Sequence, residues 1–216
     1  WLKKLKVCLG FIELALAFKF LSNADLVEGW GILKRETFIL IWVIIFLSMS
    51  LYLFGSYFGK LKFNYKSISG WLFLLFSIFL LSGLYDSKNV RLLSGILPPE
   101  FYSIEEKQSE CPLGLNCFKN YDEGKDYAIE NNKIILLDFT GWACANCRRM
   151  EENVWSKPKI YELLDNNYVI ISLYVDDRTK LSDTEKFKYI NKYGRIQYIN
   201  NIGRRWSLFQ QINFNN

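Results

Sequence analysis

The chain of 216 residues contains no histidine. This absence excludes Ser-His-Asp and Cys-His catalysis, and it excludes metal sites that are built on imidazole ligands. A covalently attached c-type haem is excluded as well, because Arg148 follows Cys147 at the position where haem attachment requires histidine. Any catalysis must therefore come from other side chains.

Net charge is absent from residues 86–216, which hold eighteen basic and eighteen acidic side chains. Residues 1–85 hold nine Lys or Arg and four Asp or Glu, so the whole formal excess of +5 lies in this apolar part. Basic residues beside apolar segments are typical of membrane proteins. Nucleic-acid binding needs a basic stripe with interleaved aromatics, which the neutral part lacks. We therefore expect a lipid bilayer, and no nucleic acid, among the partners.

Charged residues are missing from residues 37–55 and 67–85, each a run of 19. A helix needs about 20 apolar residues to cross a bilayer, so both runs predict transmembrane helices. Residues 7–22 are interrupted by Glu13 and Lys19 and follow three lysines, an arrangement similar to a signal peptide. The two internal charges and the two later spans favour a third membrane helix instead. Glu13 then faces other helices, either as a functional carboxylate or as a packed polar contact.

The basic residues of the loops predict the orientation of the three spans. Three lysines precede the first span and three lie in residues 56–66, whereas the loop between the first two spans carries two basic and three acidic residues. The positive-inside rule then places the N-terminus and residues 56–66 in the cytoplasm, and everything after Tyr85 outside. Residues 86–100, which include a Pro-Pro pair, predict a linker between a membrane region at 1–85 and a domain at 101–216.

A Cys-x-x-Cys motif follows an apolar, strand-like run. Residues 133–140 predict a buried strand, a turn containing Gly141 follows, and Cys144 and Cys147 stand where a helical pattern begins. At a helix N-terminus, unpaired backbone N–H groups and the helix dipole favour a negative charge, and therefore a thiolate. Cys144 is thus the predicted nucleophile, and Cys147, one turn later, resolves the mixed disulfide.

The rest of this second half alternates helical and strand-like patterns. The predicted elements are a helix at 121–131 capped by Asn120 and Glu123, a helix at 144–154 that Lys157-Pro158 interrupts or restarts, a strand at 168–175, and helices at 182–193 and 203–212. Strands that alternate with helices indicate a parallel α/β layer.

The order strand, Cys-x-x-Cys, helix, strand resembles the thioredoxin fold. Lysines before a Glu-bearing span, two apolar spans, a Pro-Pro linker and a thioredoxin-like domain together resemble the C-terminal part of the DsbD family of membrane thiol:disulfide interchange proteins. The segments at 117–124 and 138–142 are similar to those of its bacterial members. The resemblance covers nearly the whole chain.

This resemblance implies a redox relay that supports cytochrome c biogenesis. In the family, cytosolic thioredoxin reduces a pair of membrane cysteines, which pass electrons to the thioredoxin-like domain, and this domain reduces disulfide proteins in the periplasm. Cys144 matches the attacking cysteine and Cys147 the resolving one. Asp138 matches a buried acid beneath the motif, and Glu151 matches a second acid near it. The location implied is the bacterial inner membrane, with several spans and the thioredoxin-like domain on the periplasmic side.

The chain departs from the family pattern in three ways. Ala143 stands before the first cysteine, where thioredoxins have Trp, and Trp142 lies one residue earlier. No proline follows Pro158, so the cis-proline that faces the dithiol in this fold has no candidate, and the closing strands are absent. The membrane relay cysteines are missing too. We therefore expect a fragment that is truncated at its C-terminus and lacks the N-terminal membrane part.

The other cysteines leave alternatives open. A four-cysteine zinc site would need Cys111 and Cys117, but the five residues between them exceed the usual two to four. We expect neither a metal nor a cofactor. Cys111 and Cys117 form either a stabilising disulfide, which an oxidising compartment permits and which we favour, or two unpaired thiols. Cys8 is expected to be a bystander, because single cysteines commonly behave as small hydrophobic residues.

Charged residues near the motif have two interpretations. Arg148 and Arg149 either assist the thiolate or guide partners, or they pair with Glu151 and Glu152 on a solvated helix face, which we favour. The Asp176-Asp177 doublet at a strand end predicts a turn rather than a metal site. A carboxylate near the first cysteine disfavours its thiolate and opposes the helix terminus, whose effect of about 0.3–2 kcal/mol is worth about 1.5 pKa units or less. We therefore expect a Cys144 thiol that is only mildly acidic.

The sequence thus predicts transmembrane helices followed by an α/β thioredoxin-like domain. The predicted function is a membrane-bound protein-disulfide reductase that transfers electrons through Cys144 and Cys147 to periplasmic proteins, and so serves electron transport, cell redox homeostasis and cytochrome c maturation. The alternatives are a membrane-tethered thioredoxin-like module that holds clients without redox turnover, and an inactive domain of the same fold.

Overall fold

The computed structural model describes residues 2–55, 68–104, 111–191 and 193–214. The chain forms two compact units, one of Trp1–Asp25 with Gly31–Lys107 and the other of Leu26–Trp30 with Gln108–Asn216. Residues 56–66, whose lysines support the predicted orientation, lie outside the described residues.

The first part of the chain is helical. Its long helices are α1 (Leu2–Glu28), α2 (Arg35–Leu53) and α3 (Ile68–Tyr85). Helices α2 and α3 coincide with the predicted spans at 37–55 and 67–85, and both are long and apolar enough to cross a membrane. Helix α1 contains the third predicted span and extends beyond it at both ends. A transmembrane role for α1 stays a prediction.

Aromatic packing and buried hydrogen bonds join these helices. Phe46 of α2 meets Phe76 of α3 edge to face, with ring centroids 4.8 Å apart. The Ser50 hydroxyl donates to the Gly70 carbonyl over 2.7 Å. The Trp42 indole N–H donates to the carbonyl of Ala15 on α1 over 3.1 Å. These bonds satisfy polar groups that would otherwise be costly in an apolar core.

Residues within the predicted linker at 86–100 pack on the helical unit. A 3₁₀ helix (Ser87–Leu93) begins where the Asp86 carboxylate accepts a hydrogen bond from the Lys88 amide over 2.9 Å. Val90 and Leu97 are buried in the same apolar core as α2 and α3. Gly83 permits this approach, since a Cβ there would lie 2.7 Å from the Val90 side chain.

The second unit contains a three-stranded sheet, β1 (Cys117–Phe118), β2 (Ile134–Thr140) and β3 (Tyr168–Tyr174). The strand order is β1-β3-β2 and both pairings are parallel. Six of the seven β3 residues are buried, as expected for a central parallel strand rich in β-branched side chains. The strands predicted at 133–140 and 168–175 are confirmed.

Four helices accompany this sheet: α4 (Tyr121–Glu130), α5 (Ala145–Met150), α6 (Pro158–Asn167) and α7 (Ile202–Phe214). The Asn120 carboxamide caps α4 by accepting from the Asp122 amide over 2.9 Å. Helix α5 continues into a π-helical turn (Glu151–Trp155). Pro158 opens α6 in the first turn, where its missing N–H costs nothing. The helices predicted at 121–131, 144–154 and 203–212 are therefore confirmed.

The helix predicted at 182–193 is wrong. Strands β4 (Phe187–Ile190) and β5 (Ile196–Ile199) form an antiparallel hairpin there, as a sheet separate from β1-β3-β2. Gly194 stands in the turn with φ +74°, a conformation that glycine adopts without strain. Lysine alternates with an aromatic residue over residues 186–189, which is the two-residue period of a strand rather than a helical one.

Candidate redox site

The Cys-x-x-Cys motif lies where the chain passes from β2 into α5. Cys144 is the N-cap residue of α5, and its Sγ accepts a hydrogen bond from the Cys147 amide over 3.3 Å. The two cysteines form a disulfide with Cα atoms 5.3 Å apart, and both are partly exposed. The predicted placement of Cys144 at a helix N-terminus is confirmed. In the reduced protein the same amide would stabilise its thiolate.

Asp176 holds the loop before the disulfide. Its carboxylate accepts hydrogen bonds from the backbone amides of Trp142 and Ala143, over 2.8 and 3.1 Å. Gly141 permits this approach, because a Cβ there would lie 2.8 Å from the same carboxylate. Asp177 accepts from the Trp142 indole N–H over 3.3 Å. The Asp176-Asp177 pair thus anchors the loop before Cys144. The sequence predicts only a turn at these two residues and not this contact.

The order of the strands explains why Asp176 reaches this loop, and the same order could have predicted the contact from the sequence. β2 and β3 are parallel neighbours, with Thr140 in register with Tyr174. Residues just after two parallel neighbouring strands meet at the same edge of a sheet, which is where α/β proteins gather their functional side chains. Asp176 follows β3 at that edge, as Cys144 follows β2.

An aromatic and cationic contact lies beside the loop. The Trp142 ring stacks on Tyr174 with centroids 4.0 Å apart and an interplanar angle of 24°. The Lys119 ammonium lies 4.9 Å from the Trp142 centroid and 5.9 Å from that of Tyr174, within the range of cation–π attraction. Trp142 lies one residue earlier in the sequence than the tryptophan of thioredoxins, and these contacts fix the position of its ring.

A buried ionic cluster lies on the inner face of α5. The guanidinium of Arg148 forms an ion pair with the Glu151 carboxylate over 2.7 Å, and it donates to the Thr140 hydroxyl over 3.1 Å. The predicted pairing of Arg148 with Glu151 is therefore confirmed, but Arg148, Glu151 and Glu152 are all buried, so the predicted solvated face is wrong. The burial follows from the rotation of α5 about its axis. Arg148 lies on the side of the helix that faces the end of β2, whereas Arg149, one residue later, lies on the exposed side.

The two predicted acids belong to this cluster. Burial raises the pKa of Asp138, against the opposing influence of Arg148 and of the Ser172 hydroxyl, which donates to its carboxylate over 3.4 Å. Burial raises the pKa of Glu151 to about 8, with Arg148 opposing and Asp138 adding to the rise. The structure therefore brings Asp138 and Glu151 together around Arg148, which sequence reasoning had placed at the surface.

Burial also raises the pKa of the Tyr174 hydroxyl to about 12. Arg148 donates to the hydroxyl of this tyrosine and opposes the rise. One guanidinium thus connects the end of β2, the end of β3 and the helix that carries the dithiol.

The remaining cysteines lie elsewhere. Cys111 and Cys117 form a second disulfide with Cα atoms 5.8 Å apart, which confirms the favoured alternative. Cys117 packs with Leu115 and Trp155 in an apolar cluster of the second unit. Cys8 of α1 is a free thiol packed against the apolar core of the helical unit.

Comparisons with known proteins agree with this geometry. Residues 116–194 match the family model described as thioredoxin-like. The chain is 28% identical over 199 residues to the thiol:disulfide interchange protein DsbD of Campylobacter jejuni strain RM1221, and equally to that of Campylobacter jejuni subsp. jejuni serotype O:2. The match covers 90% of this chain and 32% of each relative, so the chain spans about a third of the length of these curated relatives. The resemblance seen in the sequence is confirmed: apolar helices precede a thioredoxin-like domain, as in the C-terminal part of the DsbD thiol:disulfide interchange family.

Proposed function

We propose that the protein is a membrane-bound protein-disulfide reductase. Its Cys144–Cys147 pair would accept electrons from relay cysteines in the membrane, with cytosolic thioredoxin as the indirect donor, and pass them to disulfide proteins in the periplasm. The observation that carries this proposal is the partly exposed disulfide at the start of α5, with the Cys147 amide directed at the Cys144 sulfur.

The reaction is two successive thiol–disulfide exchanges. The Cys144 thiolate attacks one sulfur of the client disulfide, which forms a mixed disulfide and releases the other client sulfur as a thiolate. The Cys147 thiolate then attacks the Cys144 sulfur and releases the second client thiol. The client gains two electrons and two protons, and Cys144 and Cys147 return to the disulfide. The relay must then supply two electrons and two protons to restore the dithiol.

The surface of the helical unit supports a membrane location. Large aliphatic side chains of α2 and α3 are exposed to the surroundings, among them Leu40, Ile44, Leu72 and Leu75. A soluble protein rarely exposes so much apolar surface on helices of this length, whereas a lipid environment accommodates it. We propose a multi-pass protein of the bacterial inner membrane, with α1 as a further span and the thioredoxin-like domain in the periplasm.

A trapping experiment tests the reductase proposal. The Cys147→Ser variant of the full chain cannot resolve its mixed disulfides, so acid quenching of cells followed by alkylation should preserve covalent adducts that dithiothreitol releases. The matched Cys144→Ser variant keeps one cysteine of the motif but lacks the nucleophile, and it should form none. If Cys147→Ser shows only reversible association with proteins, the domain is a binding module and the reductase proposal is wrong.

The trapped clients test the proposed link to cytochrome c maturation. Apocytochromes c carry a Cys-x-x-Cys-His segment whose thiols must be reduced before haem attaches. Mass spectrometry of the adducts should therefore identify apocytochromes c or thiol proteins that reduce them. Adducts that contain neither would limit the function to general disulfide reduction.

A further inference from the structure

The hairpin β4–β5 presents one face away from the domain. Tyr189 and Ile199 lie on its inner face and pack with the buried residues Leu181 and Leu208. Side chains alternate between the two faces of a strand. The neighbouring cross-strand pairs therefore face outward, and these are Lys188 with Tyr198 and Ile190 with Ile196.

This outward face is apolar and aromatic. Ile190 is 65% exposed, Ile196 56% and Tyr198 54%, and Tyr193 in the turn is 74% exposed. Four such side chains are exposed within nine residues of one hairpin, and clustered exposed apolar side chains are typical of interaction sites.

The same hairpin is basic. Residues 187–199 contain three Lys or Arg and no Asp or Glu, and Lys186, Arg204 and Arg205 flank them in the sequence. Lys186 is paired with Asp183 and Arg205 with Glu185, so these two are balanced by neighbouring acids. Lys188 is exposed on the outward face, with its ammonium 5.3 Å from the Tyr198 ring centroid, and Arg195 is exposed near the turn.

We propose that this outward face of β4–β5 docks on the surface of an anionic lipid bilayer. The proposal rests on the membrane location that forms part of the proposed function. Lys and Arg are attracted to anionic lipid headgroups, while aliphatic and tyrosine side chains partition into the boundary between headgroups and acyl chains. An acidic protein surface would match the charge of the hairpin but not its exposed isoleucines. Docking holds the thioredoxin-like domain at the membrane that its own chain crosses.

Photocrosslinking of the full chain in lipid nanodiscs tests the proposal. Ile196→p-benzoylphenylalanine places a photoreactive group on the outward face. Ile129→p-benzoylphenylalanine is the matched control, because Ile129 is 67% exposed in the same domain but lies on α4, which carries four acidic residues and one lysine. Nanodiscs are prepared from phosphatidylcholine alone or with 30 mole per cent phosphatidylglycerol, and lipid adducts are counted by mass spectrometry of tryptic peptides.

The expected result is lipid adducts at position 196 and few at position 129, with more adducts when phosphatidylglycerol is present. Changing Lys188→Gln together with Arg195→Gln should reduce the adducts at position 196 by about 25-fold, since each basic side chain near an anionic surface contributes about fivefold. The proposal is overturned if no lipid adducts form at position 196, or if positions 196 and 129 give equal numbers. It is also overturned if the Lys188→Gln and Arg195→Gln changes leave the number of adducts at position 196 unaltered. Crosslinking at position 196 to a protein, when the experiment is repeated in cells, overturns it as well.

The proposed function and this inference fail in distinguishable ways. A chain that does not insert into nanodiscs contradicts the membrane location and the docking together. A chain that inserts and traps clients through Cys144, but gives no lipid adducts at position 196, contradicts the docking alone.

Discussion

The guanidinium of Arg148 lies 2.7 Å from the carboxylate of Glu151, and their side chains are only 4% and 6% exposed. Arg148 directly follows the second cysteine of the motif, so this pair is attached to the helix that carries the dithiol. Breaking a buried ion pair by removing one partner is strongly destabilising, because the other charge stays buried. Arg148 therefore couples the stability of the domain to the ionisation of Asp138 and Glu151.

Replacing Arg148 tests this coupling directly. Arg148→Met fills a similar volume but leaves Glu151 and Asp138 without their cation, so above about pH 8, where Glu151 is ionised, we expect a loss of about 3 kcal/mol in the free energy of unfolding. Thermal unfolding of the full chain in detergent should show a transition about 10 °C or more lower. The control is Arg149→Met, at an exposed neighbouring position, which should stay within about 0.5 kcal/mol. Equal transitions for the two variants would show that the buried pair adds nothing to stability.

The raised pKa of Glu151 predicts a pH dependence of stability. Burial raises this pKa from 4.5 to about 8, so the folded protein binds the proton more tightly than the unfolded chain. This contribution to stability is fully present below about pH 4.5 and is lost as the pH rises to about 8.

The Glu151→Gln variant removes the titrating group, so its stability relative to the unaltered protein should improve between pH 4.5 and 8 and then level off. Thermal unfolding at a series of pH values measures this difference, with the exposed Glu130→Gln as control. A relative stability that stays constant over this interval would mean that the Glu151 carboxylate is already ionised throughout, held by Arg148.

Asp138 is predicted to restrain the nucleophile. A carboxylate near a thiol disfavours the thiolate, so if Asp138 acts as the resemblance implies, Asp138→Asn should lower the pKa of the Cys144 thiol by up to about one unit. Alkylation of the reduced protein by iodoacetamide at pH 7 should then be up to about tenfold faster. Asp126→Asn, an exposed change on α4, should leave the rate as it was. An unaltered protein whose Cys144 already titrates near pH 4 would contradict the mildly acidic thiol expected from the sequence.

The sequence was sufficient where structure is determined by local patterns. The apolar run of β2, the turn at Gly141 and the N-cap position of Cys144 depend on residues within a dozen positions of each other, and all were predicted correctly. The hairpin at 187–199 was missed because lysines and aromatics alternating over only four residues also fit a short helical face.

The site required information that no local pattern carries. Whether Arg148 lies in solvent or against the sheet depends on the rotation of α5, which tertiary packing sets. Likewise, the contact between Asp176 and Ala143 joins residues 33 positions apart and exists only because β2 and β3 are paired. The chemistry of the two cysteines was therefore readable from the sequence, whereas the residues that position them were not.

Asp176 is predicted to be a positioning residue for the dithiol. Asp176→Ala leaves the amides of Trp142 and Ala143 without their acceptor, and displacement of the loop should slow reduction of a model disulfide peptide by about ten- to a hundredfold. Asp176→Asn retains one carbonyl oxygen and should give an intermediate rate. Asp177→Asn, which affects the weaker bond to the Trp142 indole, should have a smaller effect. If Asp176→Ala lowers stability but leaves the rate of the folded protein unchanged, the residue is structural only.

The Cys111–Cys117 disulfide is predicted to stabilise the domain without taking part in exchange. The bond closes a loop between residues six positions apart, and the chain entropy that it removes from the unfolded state corresponds to about 2 kcal/mol. Changing both residues to serine should lower the free energy of unfolding by about 2 kcal/mol, which a lower unfolding temperature would report. Disulfide reduction by the folded protein should continue at its original rate. The single change Cys111→Ser separates the two roles further, because it frees the Cys117 thiol without touching Cys144. A fall in reduction rate in the double variant at a temperature where it is fully folded would instead assign these cysteines to the electron path.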